Sequence, residues 1–395
     1  MGKPNPQLWV GLPLCLGPWV GMLGTHHHFL CHETVAMLPI SQLLFLAVIF
    51  SACTAPAVVI DAPSPYEAVE ESAPSASAEA PAFAIVIHGG AGSPSRNMNQ
   101  EQLAGLTGGM AHALQVGLAD LRRGADAVDV VERVITILET NPNFNAGRGA
   151  VFTDAGRHEL DASIMDGETL SCGAVGGVTT VEHPISLARL VMDETRHVLF
   201  VAAGAEAFAD SMGKRITRVD NTYFDTDGAR ANLRSVQERR REENASKTKD
   251  DSDPHEIKGT VGCVVLDMQG HLAAGTSTGG LTAKSFGRIG DSPIIGAGTY
   301  ANDKTCAISC TGVGEEYIRH GVARDIAARV EYLGIDVIKA TDQVVHGVLK
   351  KGEGGVIGID KDGNIAMSYN TGGMVRAVGD SNGRFDIGIW EDFIE

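Results

Sequence analysis

The stretch Gly259-Thr260-Val261-Gly262-Cys263-Val264-Val265-Leu266-Asp267 marks the point where the character of the chain changes. Before it, between Ala231 and Lys258, the run from Glu238 to Glu243 (ERRREE) leads into the run from Asn244 to Pro254 (NASKTKDDSDP). Almost nothing there is apolar, and a segment that cannot bury apolar surface does not repay the entropy of ordering. Residues 231–258 are therefore expected to form a mobile, exposed linker. After Thr260 the run from Val261 to Leu266 reads as a buried strand, with Met268-Gln269-Gly270 as a turn and His271 to Ser277 as its hairpin partner. A Gly-Thr step thus stands where an open segment meets a buried strand.

A threonine hydroxyl is a weak nucleophile unless a base activates it, and one available base is the threonine's own α-amine. The unperturbed pKa of that amine is about 7.7–8.0, so a useful neutral fraction exists near neutral pH. A mid-chain threonine has no such amine until the chain is cut before it. The Thr260 hydroxyl can make that cut by attacking the Gly259 carbonyl, giving an ester that water then hydrolyses. Glycine at 259 tolerates the strained backbone this attack requires. A mobile segment upstream lets the new end swing clear. Taken alone, most Gly-Thr pairs simply begin a strand, so the step acquires meaning only from its surroundings.

Upstream, the run from Phe83 to His88 (FAIVIH) is continuously apolar and closed by Gly89-Gly90-Ala91-Gly92. This reads as a strand buried on both faces, followed by a tight turn. Two helical patterns follow, and in the second Val128, Val131, Ile135 and Leu138 recur at three- and four-residue spacing. After Asn145 to Gly149 (NAGRG) a hairpin is expected, joining Val151–Thr153 to His158–Met165 around Asp154-Ala155-Gly156. Residues 184–210 read as two helices separated by a short apolar piece. Downstream, a helical pattern after Glu315 carries Ile318, Val322, Ile326 and Val330, with Gly334 as its C-cap. A last hairpin joins Val356–Asp360 to Ile365–Tyr369 through Lys361-Asp362-Gly363. Strands and helices come in runs, which predicts an α+β fold of antiparallel sheets covered by helices rather than a nucleotide-binding parallel sheet.

Composition narrows the function. The 395 residues are 44% hydrophobic, too long and too apolar for a disordered tail or a disulfide mini-protein. Lys and Arg total 32 against 49 Asp and Glu, a net charge of −17, the wrong balance for a nucleic-acid partner. Seven cysteines lack any CxxC or Cys/His ligand spacing, so neither a zinc site nor a disulfide framework is indicated. There is no P-loop, no GxSxG elbow and no HExxH, and the Gly89–Gly92 run lacks the spacing of a nucleotide fingerprint.

The first eighty residues do not read as fold. From Met37 the sequence is MLPISQLLFLAVIFSAC, a short apolar core ending in small residues before Cys53. It is too short to span a bilayer, which takes about 20 apolar residues, and has the shape of a secretory signal. The small residues before Cys53 resemble a bacterial lipoprotein processing site. The expectation is an exported, periplasmic protein anchored to the membrane through lipidated Cys53. Residues 1–53 are thus a leader, with 1–36 read as a mis-assigned start and Met37 as the true one. Residues 54–82, rich in Ala, Pro, Ser and Glu, are expected to be a disordered tether.

Four motifs follow in order at close spacing: Gly259 to Asp267 (GTVGCVVLD), Ala274 to Gly280 (AGTSTGG), Gly287 to Pro293 (GRIGDSP) and Cys310 to Glu315 (CTGVGE). The first half supplies His88 to Gly92 (HGGAG), Phe144 to Gly147 (FNAG), Glu159 to Ala162 (ELDA), Met165 to Gly167 (MDG) and Gly173 to Gly177 (GAVGG). Together they resemble the plant-type L-asparaginase and isoaspartyl peptidase (beta-aspartyl peptidase) family of N-terminal nucleophile hydrolases, over about residues 83 to 395. The resemblance implies a four-layer αββα sandwich, autocatalytic cleavage between Gly259 and Thr260, and a homodimer of cleaved α/β units. Residues 83–259 would be the α chain and 260–395 the β chain.

By position, the resemblance makes Thr260 the nucleophile and Thr278 the hydroxyl that hydrogen-bonds it. Arg288 would pair with the substrate α-carboxylate, whose planar shape suits a guanidinium fork, and Asp291 with the α-ammonium, helped by the Gly314 carbonyl. Thr311 and the Gly312 N–H would form the oxyanion hole, and Asn145 an amide near the nucleophile. No cofactor is implied for catalysis. A structural Na⁺ is implied, held by the carbonyls of Leu138, Glu139, Asn141, Phe144, Ala146 and Arg148, an all-oxygen cage suited to a hard cation. L-Asparagine and β-aspartyl dipeptides are the implied substrates, with dipeptides expected to be the better ones because the leaving side faces solvent. Glycosylasparaginases resemble this pattern but tend to have Asp before the nucleophile and Asn in the TST-x-G loop, where this chain has Gly259 and Gly279. A non-enzymatic anchored binding protein on the same fold would be expected to lose Thr260 or Arg288, and both are present.

Overall fold

The structure is a computed structural model that describes residues 81–92, 94, 96–246 and 259–394. In chain order the first half contributes β1 (Ala84–Gly92), α1 (Gln100–Arg122), α2 (Ala127–Thr140), β2 (Leu160–Asp166), β3 (Cys172–Val178), α3 (Pro184–Glu194), β4 (Leu199–Val201), α4 (Ala202–Ser211) and α5 (Asp227–Ser246). The second half contributes β5 (Val261–Leu266), β6 (Leu272–Thr278), β7 (Thr299–Ala301), β8 (Cys306–Gly312), α6 (Gly314–His320), α7 (Val322–Leu333), α8 (Val337–Gly347), β9 (Gly354–Asp360), β10 (Ile365–Tyr369), β11 (Gly373–Asp380), β12 (Phe385–Gly388) and β13 (Phe393–Ile394). This is a mixed α/β protein. The strands form one nine-stranded sheet, in the order β13-β12-β11-β1-β5-β6-β2-β3-β4, and one four-stranded sheet, in the order β10-β9-β8-β7. Neighbours run antiparallel throughout except β3 and β4.

The central strands β1, β5 and β6 are buried at every residue because both faces are covered. Side chains alternate across a strand, so β1 sends Ala84 and Val86 to one side and Ile85 and Ile87 to the other. Ala84 and Val86 join Val264, Ala274 and Met374 of the same sheet and Ala307, Ile357 and Ile359 of the four-stranded sheet in a core between the sheets. Ile85 and Ile87, with Cys263 and Val265, pack on the helical layer through Met110 and Leu114 of α1 and Val131 and Ile135 of α2. On the smaller sheet, Ile308, Cys310 and Val356 face Val322 and Ile326 of α7 and Val337 and Val344 of α8.

Both expected hairpins in the second half are present, with Leu266 opposite Leu272 and Ile359 opposite Ile365. Four expectations are corrected. Gly89–Gly92 is not a turn. The strand continues through it over a bulge between His88 and Gly90, pairing Gly92 with Gly373. Val151–Thr153 is not a hairpin strand, since Thr153 N donates to Arg157 O at 2.7 Å in a tight turn and β2 pairs instead with β3 and β6. The helix after Glu315 is broken at Gly321, which has a left-handed φ of 59°, so Ile318 lies on α6 at the surface while Val322 and Ile326 reach the core from α7.

The fourth correction concerns the linker. Residues 231–246, expected to be mobile, belong to α5. Ala229, Leu233 and Val236, spaced four and three apart, put their side chains on one face and bury them against Phe152 and Ala283. Polar contacts add to this docking: Arg240 Nη1 donates to Ala283 O at 3.0 Å and Gln237 Nε2 to Asp154 O at 3.1 Å. The tether is also shorter than expected, because Ala82 N already donates to Ser381 Oγ at 2.8 Å. The leader, with Cys53, and residues 247–258 lie outside the described residues.

Candidate active site

The Gly259–Thr260 junction sits against the bulged part of β1. A Cβ placed on Gly90 would lie 2.1 Å from the Gly259 Cα, and one on Gly259 would lie 2.0 Å from the Gly90 Cα. Gly90 also has a φ of 112°, a conformation side chains disfavour. Two main chains thus approach as closely as only glycine permits. Past the junction β5 pairs with β6, Val261 opposite Ser277, which brings Thr260 beside Thr278. The Thr260 hydroxyl donates to Thr278 Oγ1 at 3.0 Å, and the Gly280 N–H donates to the same oxygen at 2.9 Å. Asn145 braces this loop. Its Nδ2 donates to Gly280 O at 2.8 Å, and its Oδ1 accepts from Val151 N at 2.9 Å.

The carbonyl of Thr260 is fixed from inside the protein. His88 is fully buried, and its Nδ1 lies 2.9 Å from Thr260 O. A carbonyl only accepts, so Nδ1 carries the proton and Nε2 is the acceptor. Nε2 takes its bond from Ser309 Oγ at 3.0 Å. That commits the Ser309 proton, so Ser309 accepts from Thr276 Oγ1 at 2.7 Å, and Thr276 accepts from Thr299 Oγ1 at 2.6 Å. Ser163 Oγ closes the series, 2.8 Å from Thr299 Oγ1 and 2.6 Å from Ser292 O. His88, Thr276 and Ser163 belong to the large sheet and Ser309 and Thr299 to the small one, so the chain of hydroxyls stitches the sheets together. Burial pushes the imidazole pKa down to about 3 against the opposing bond to Thr260, so the ring is neutral.

Arg288, Asp291 and Gly314 converge on the other side of the Thr278–Gly280 loop. Cβ atoms placed on Gly280 and Gly290 would lie 3.4 and 2.9 Å from Arg288 Nη1, and one on Gly314 would lie 2.8 Å from Arg288 Nη2 and 2.9 Å from Asp291 Oδ1. Asp291 is buried, and its Oδ2 has no hydrogen-bond partner among the described residues. Burial raises its pKa to about 7; its own backbone and Arg288 pull the other way, while Glu315 and Asp161 add to the rise. Arg288 already holds a carboxylate, since its Nε and Nη2 donate to Glu315 Oε1 and Oε2 at 2.9 and 2.8 Å. A further anion would meet the edge that carries Nη1. Thr311 Oγ1 is buried in β8 and accepts from Ala91 N at 3.2 Å, which leaves its own proton to donate elsewhere. Gly312 follows it at the end of the strand.

Among the described residues no group of three or more His, Cys, Asp or Glu could hold a metal ion. The loop at 138–148 offers main-chain oxygens instead. A Cβ on Gly147 would lie 2.3 Å from Glu139 O, and one on Gly149 would lie 2.0 Å from Phe144 O, so these carbonyls face a turn built of glycine. The oxygens of Leu138, Asn141 and Ala146 each accept a long backbone bond of 3.2 to 3.3 Å, from Asn141, Phe144 and Gly149. The Glu139 side chain points elsewhere, accepting from Ser277 Oγ at 2.6 Å and Ile185 N at 3.1 Å.

The tertiary structure therefore gathers Thr260, Thr278 and Asn145 around one loop and sets Arg288, Asp291 and Gly314 beside it. Sequence reasoning missed Glu315 as the partner of Arg288. It also missed the series His88, Ser309, Thr276, Thr299 and Ser163. A histidine closing an apolar strand was the one visible sign, because a buried imidazole must find partners. The hydroxyls carried no sign, being spread over four strands.

Comparison with known proteins gives one family. The family model for asparaginase matches residues 81–389. The chain is 44% identical over 314 residues to the isoaspartyl peptidase of Salmonella typhimurium, an alignment covering 78% of this chain and 98% of that one. It is equally identical over 314 residues to the isoaspartyl peptidase of Escherichia coli, covering 78% and 96%. It is 39% identical over 311 residues to the isoaspartyl peptidase/L-asparaginase of Homo sapiens, covering 78% and 96%.

The buried imidazole makes stability depend on pH. The unfolded chain takes up a proton at His88 near pH 6.5, whereas the folded protein resists it down to about 3. Stability from this group is complete above 6.5 and is lost as pH falls through that window, by about 1 kcal/mol per pH unit. His88→Gln removes the titration. The stability gap between wild type and His88→Gln in urea denaturation should therefore shrink from pH 7 to pH 5; a constant gap would refute the assignment.

Proposed function

The chain belongs to the asparaginase family, and from that premise we propose how its own residues carry the reaction. The protein is an enzyme. It removes β-aspartyl residues from isoaspartyl peptides and hydrolyses L-asparagine to L-aspartate and ammonia. The two sheets with helices against their outer faces support reading the fold as the four-layer αββα sandwich of N-terminal nucleophile hydrolases. Maturation comes first. Thr260 Oγ1 adds to the Gly259 carbonyl, the C–N bond breaks to leave an ester, and water hydrolyses it. Thr260 then carries a free α-amine, and residues 83–259 and 260–395 become the α and β chains.

In turnover that amine takes the Thr260 hydroxyl proton as Oγ1 bonds to the side-chain carbonyl carbon of the substrate. Thr278, which already accepts the hydroxyl, holds it in one orientation. The oxyanion meets the Thr311 hydroxyl and the Gly312 N–H. These are donors fixed before the charge develops, which is why such groups lower the barrier. The C–N bond breaks, and the amine returns the proton to the leaving nitrogen. Water then hydrolyses the acyl-threonine and restores the hydroxyl.

One observation carries the substrate assignment: a buried carboxylate oxygen of Asp291 without a donor, next to the guanidinium of Arg288. A free α-ammonium supplies the donor, and the α-carboxylate on the same carbon takes the open edge of Arg288. An aspartyl unit linked through its side chain satisfies both; an α-linked one lacks the free carboxylate. Gly279 argues against a glycosylasparaginase, since a Cβ there would lie 2.5 Å from Asn145 Oδ1, leaving no room for an asparagine side chain.

The loop at 138–148 fits a Na⁺, with the carbonyls of Leu138, Glu139, Asn141, Phe144, Ala146 and Arg148 as ligands. The Glu139 and Phe144 oxygens pack closely on Gly147 and Gly149, at the negative end of α2. The ion would brace the loop that presents Asn145. Pairing of two cleaved units, and attachment through Cys53 in the periplasm, rest on the resemblance and on the leader.

Four outcomes test this reading. Intact mass should show wild type cut before Thr260 and Thr260→Ala whole, and the variant should release no product, because both attacks use one oxygen. Wild type should hydrolyse β-Asp-Leu and L-asparagine and refuse α-Asp-Leu. Below about pH 7 Asp291 takes up a proton in the free enzyme, so KM for L-asparagine should rise by up to roughly tenfold per pH unit. Over the same range kcat should change less, since a bound ammonium keeps the carboxylate ionised; a flat KM would count against the role of Asp291. Replacing Na⁺ by choline should lower the thermal midpoint, and an unchanged midpoint would remove the ion from the account.

A further inference from the structure

A cavity of about 430 Å³ opens beside the scissile junction, lined in part by Gly90, Met98, Leu106, Pro142, Val375 and Gly259. No charged side chain is among its described lining residues. Arg288, Asp291 and Gly314 are not part of it either. The cavity therefore lies apart from the groups that would hold the amino-acid head of a substrate.

Its position follows from the chemistry. The nitrogen that becomes the Thr260 α-amine is, in the uncut chain, bonded to Gly259. Gly259 is part of the cavity wall. In turnover this amine must hand its proton to the leaving nitrogen, and proton transfer demands hydrogen-bond reach. The leaving nitrogen must therefore sit where Gly259 meets Thr260, and whatever it carries must extend into the space that the departing Gly259 opens. L-Asparagine gives up only ammonia and has no use for such a space. A β-aspartyl dipeptide gives up a whole amino acid.

We infer that this cavity is the leaving-group pocket, and that its described wall, apolar at Pro94, Met98, Leu106, Pro142 and Val375 and without a charged side chain, selects β-aspartyl dipeptides whose second residue has an apolar side chain. The inference rests on the reading of Thr260 as nucleophile and adds a substrate class to it. The side chain of the second residue lies against Met98, Leu106, Pro142 and Val375. Each methylene moved from water against these apolar side chains favours the reaction, whereas a charged side chain would find only the neutral Gln102, Asn143 and Thr226 as polar partners among the described lining residues.

The test compares kcat/KM for L-asparagine, β-Asp-Gly, β-Asp-Leu and β-Asp-Lys on the processed wild-type enzyme. β-Asp-Leu should exceed β-Asp-Gly and β-Asp-Lys by roughly tenfold or more. Met98→Glu places a carboxylate in the wall, so the ratio of β-Asp-Leu to β-Asp-Lys should fall by roughly tenfold. Equal values for the three dipeptides in wild type would overturn the pocket, as would an unmoved ratio in a Met98→Glu protein with the wild-type thermal midpoint. Should that variant fail to fold, the wild-type series decides alone. Hydrolysis of L-asparagine with a flat dipeptide series sinks the pocket only; loss of all four activities sinks the function on which it rests.

Discussion

The buried series of hydrogen bonds from Ser163 through Thr299, Thr276, Ser309 and His88 to the Thr260 carbonyl is the constraint on which the site depends. It crosses between the two sheets at each step but the last. Each hydroxyl has one proton, and the carbonyl at the end fixes which way all of them point. Leaving a buried group of this kind unpaired costs about 1–3 kcal/mol. A slip of one sheet past the other would orphan several at once, a large part of the stability of an ordinary domain. The apolar core between the sheets has no such directionality. Hydrophobic burial holds the sheets together, and the polar series sets their register and aims Thr260.

Charge is arranged locally and against the overall balance. The chain carries −17, yet the groove beside Thr260 is built around a guanidinium. Arg288 is held by Glu315 and stands next to a buried carboxylate, Asp291, raised to about 7 by its own burial. Nearby, Lys284 and Asp161 are both buried 3.9 Å apart, and burial moves each away from its charged form. Buried charges of this kind are costly unless they are paired and hydrogen-bonded. Net charge speaks against a nucleic-acid partner but says nothing about how charge is arranged around Thr260.

Glycine shows how a permissive residue becomes a strict requirement. The abundance of glycine reads from composition as many turns. At Gly90 and Gly259 the structure gives another reason: two backbones in contact, with no volume for a methyl group on either. At Gly279 the obstacle is the amide of Asn145. These positions could not be told apart from turn glycines before the strands were assembled, because the obstructing atoms lie more than a hundred residues away.

Much of the fold was legible because it follows from local rules. Continuous apolar runs at 84–87 and 261–266 gave strands buried on both faces. The spacing of Val131, Ile135 and Leu138 gave α2, and Lys361-Asp362-Gly363 gave a hairpin. The ordered motifs, from the HGGAG run at 88 to the CTGVGE run at 310, gave the family and with it Thr260, Arg288 and Asp291. Local rules failed where three apolar residues docked α5 on Phe152, and where a bulge let β1 run on through its glycines. They also failed for Glu315 and for the hydroxyl series, whose members are separated by up to 221 residues. The sequence by itself thus determined which segments are buried and which residue types can do the chemistry, since both depend on near neighbours in the chain. Only the tertiary structure decided which way Thr260 points, what partners Arg288 and how far Asp291 is raised, because hydrogen-bond direction and desolvation depend on groups that distant strands bring together.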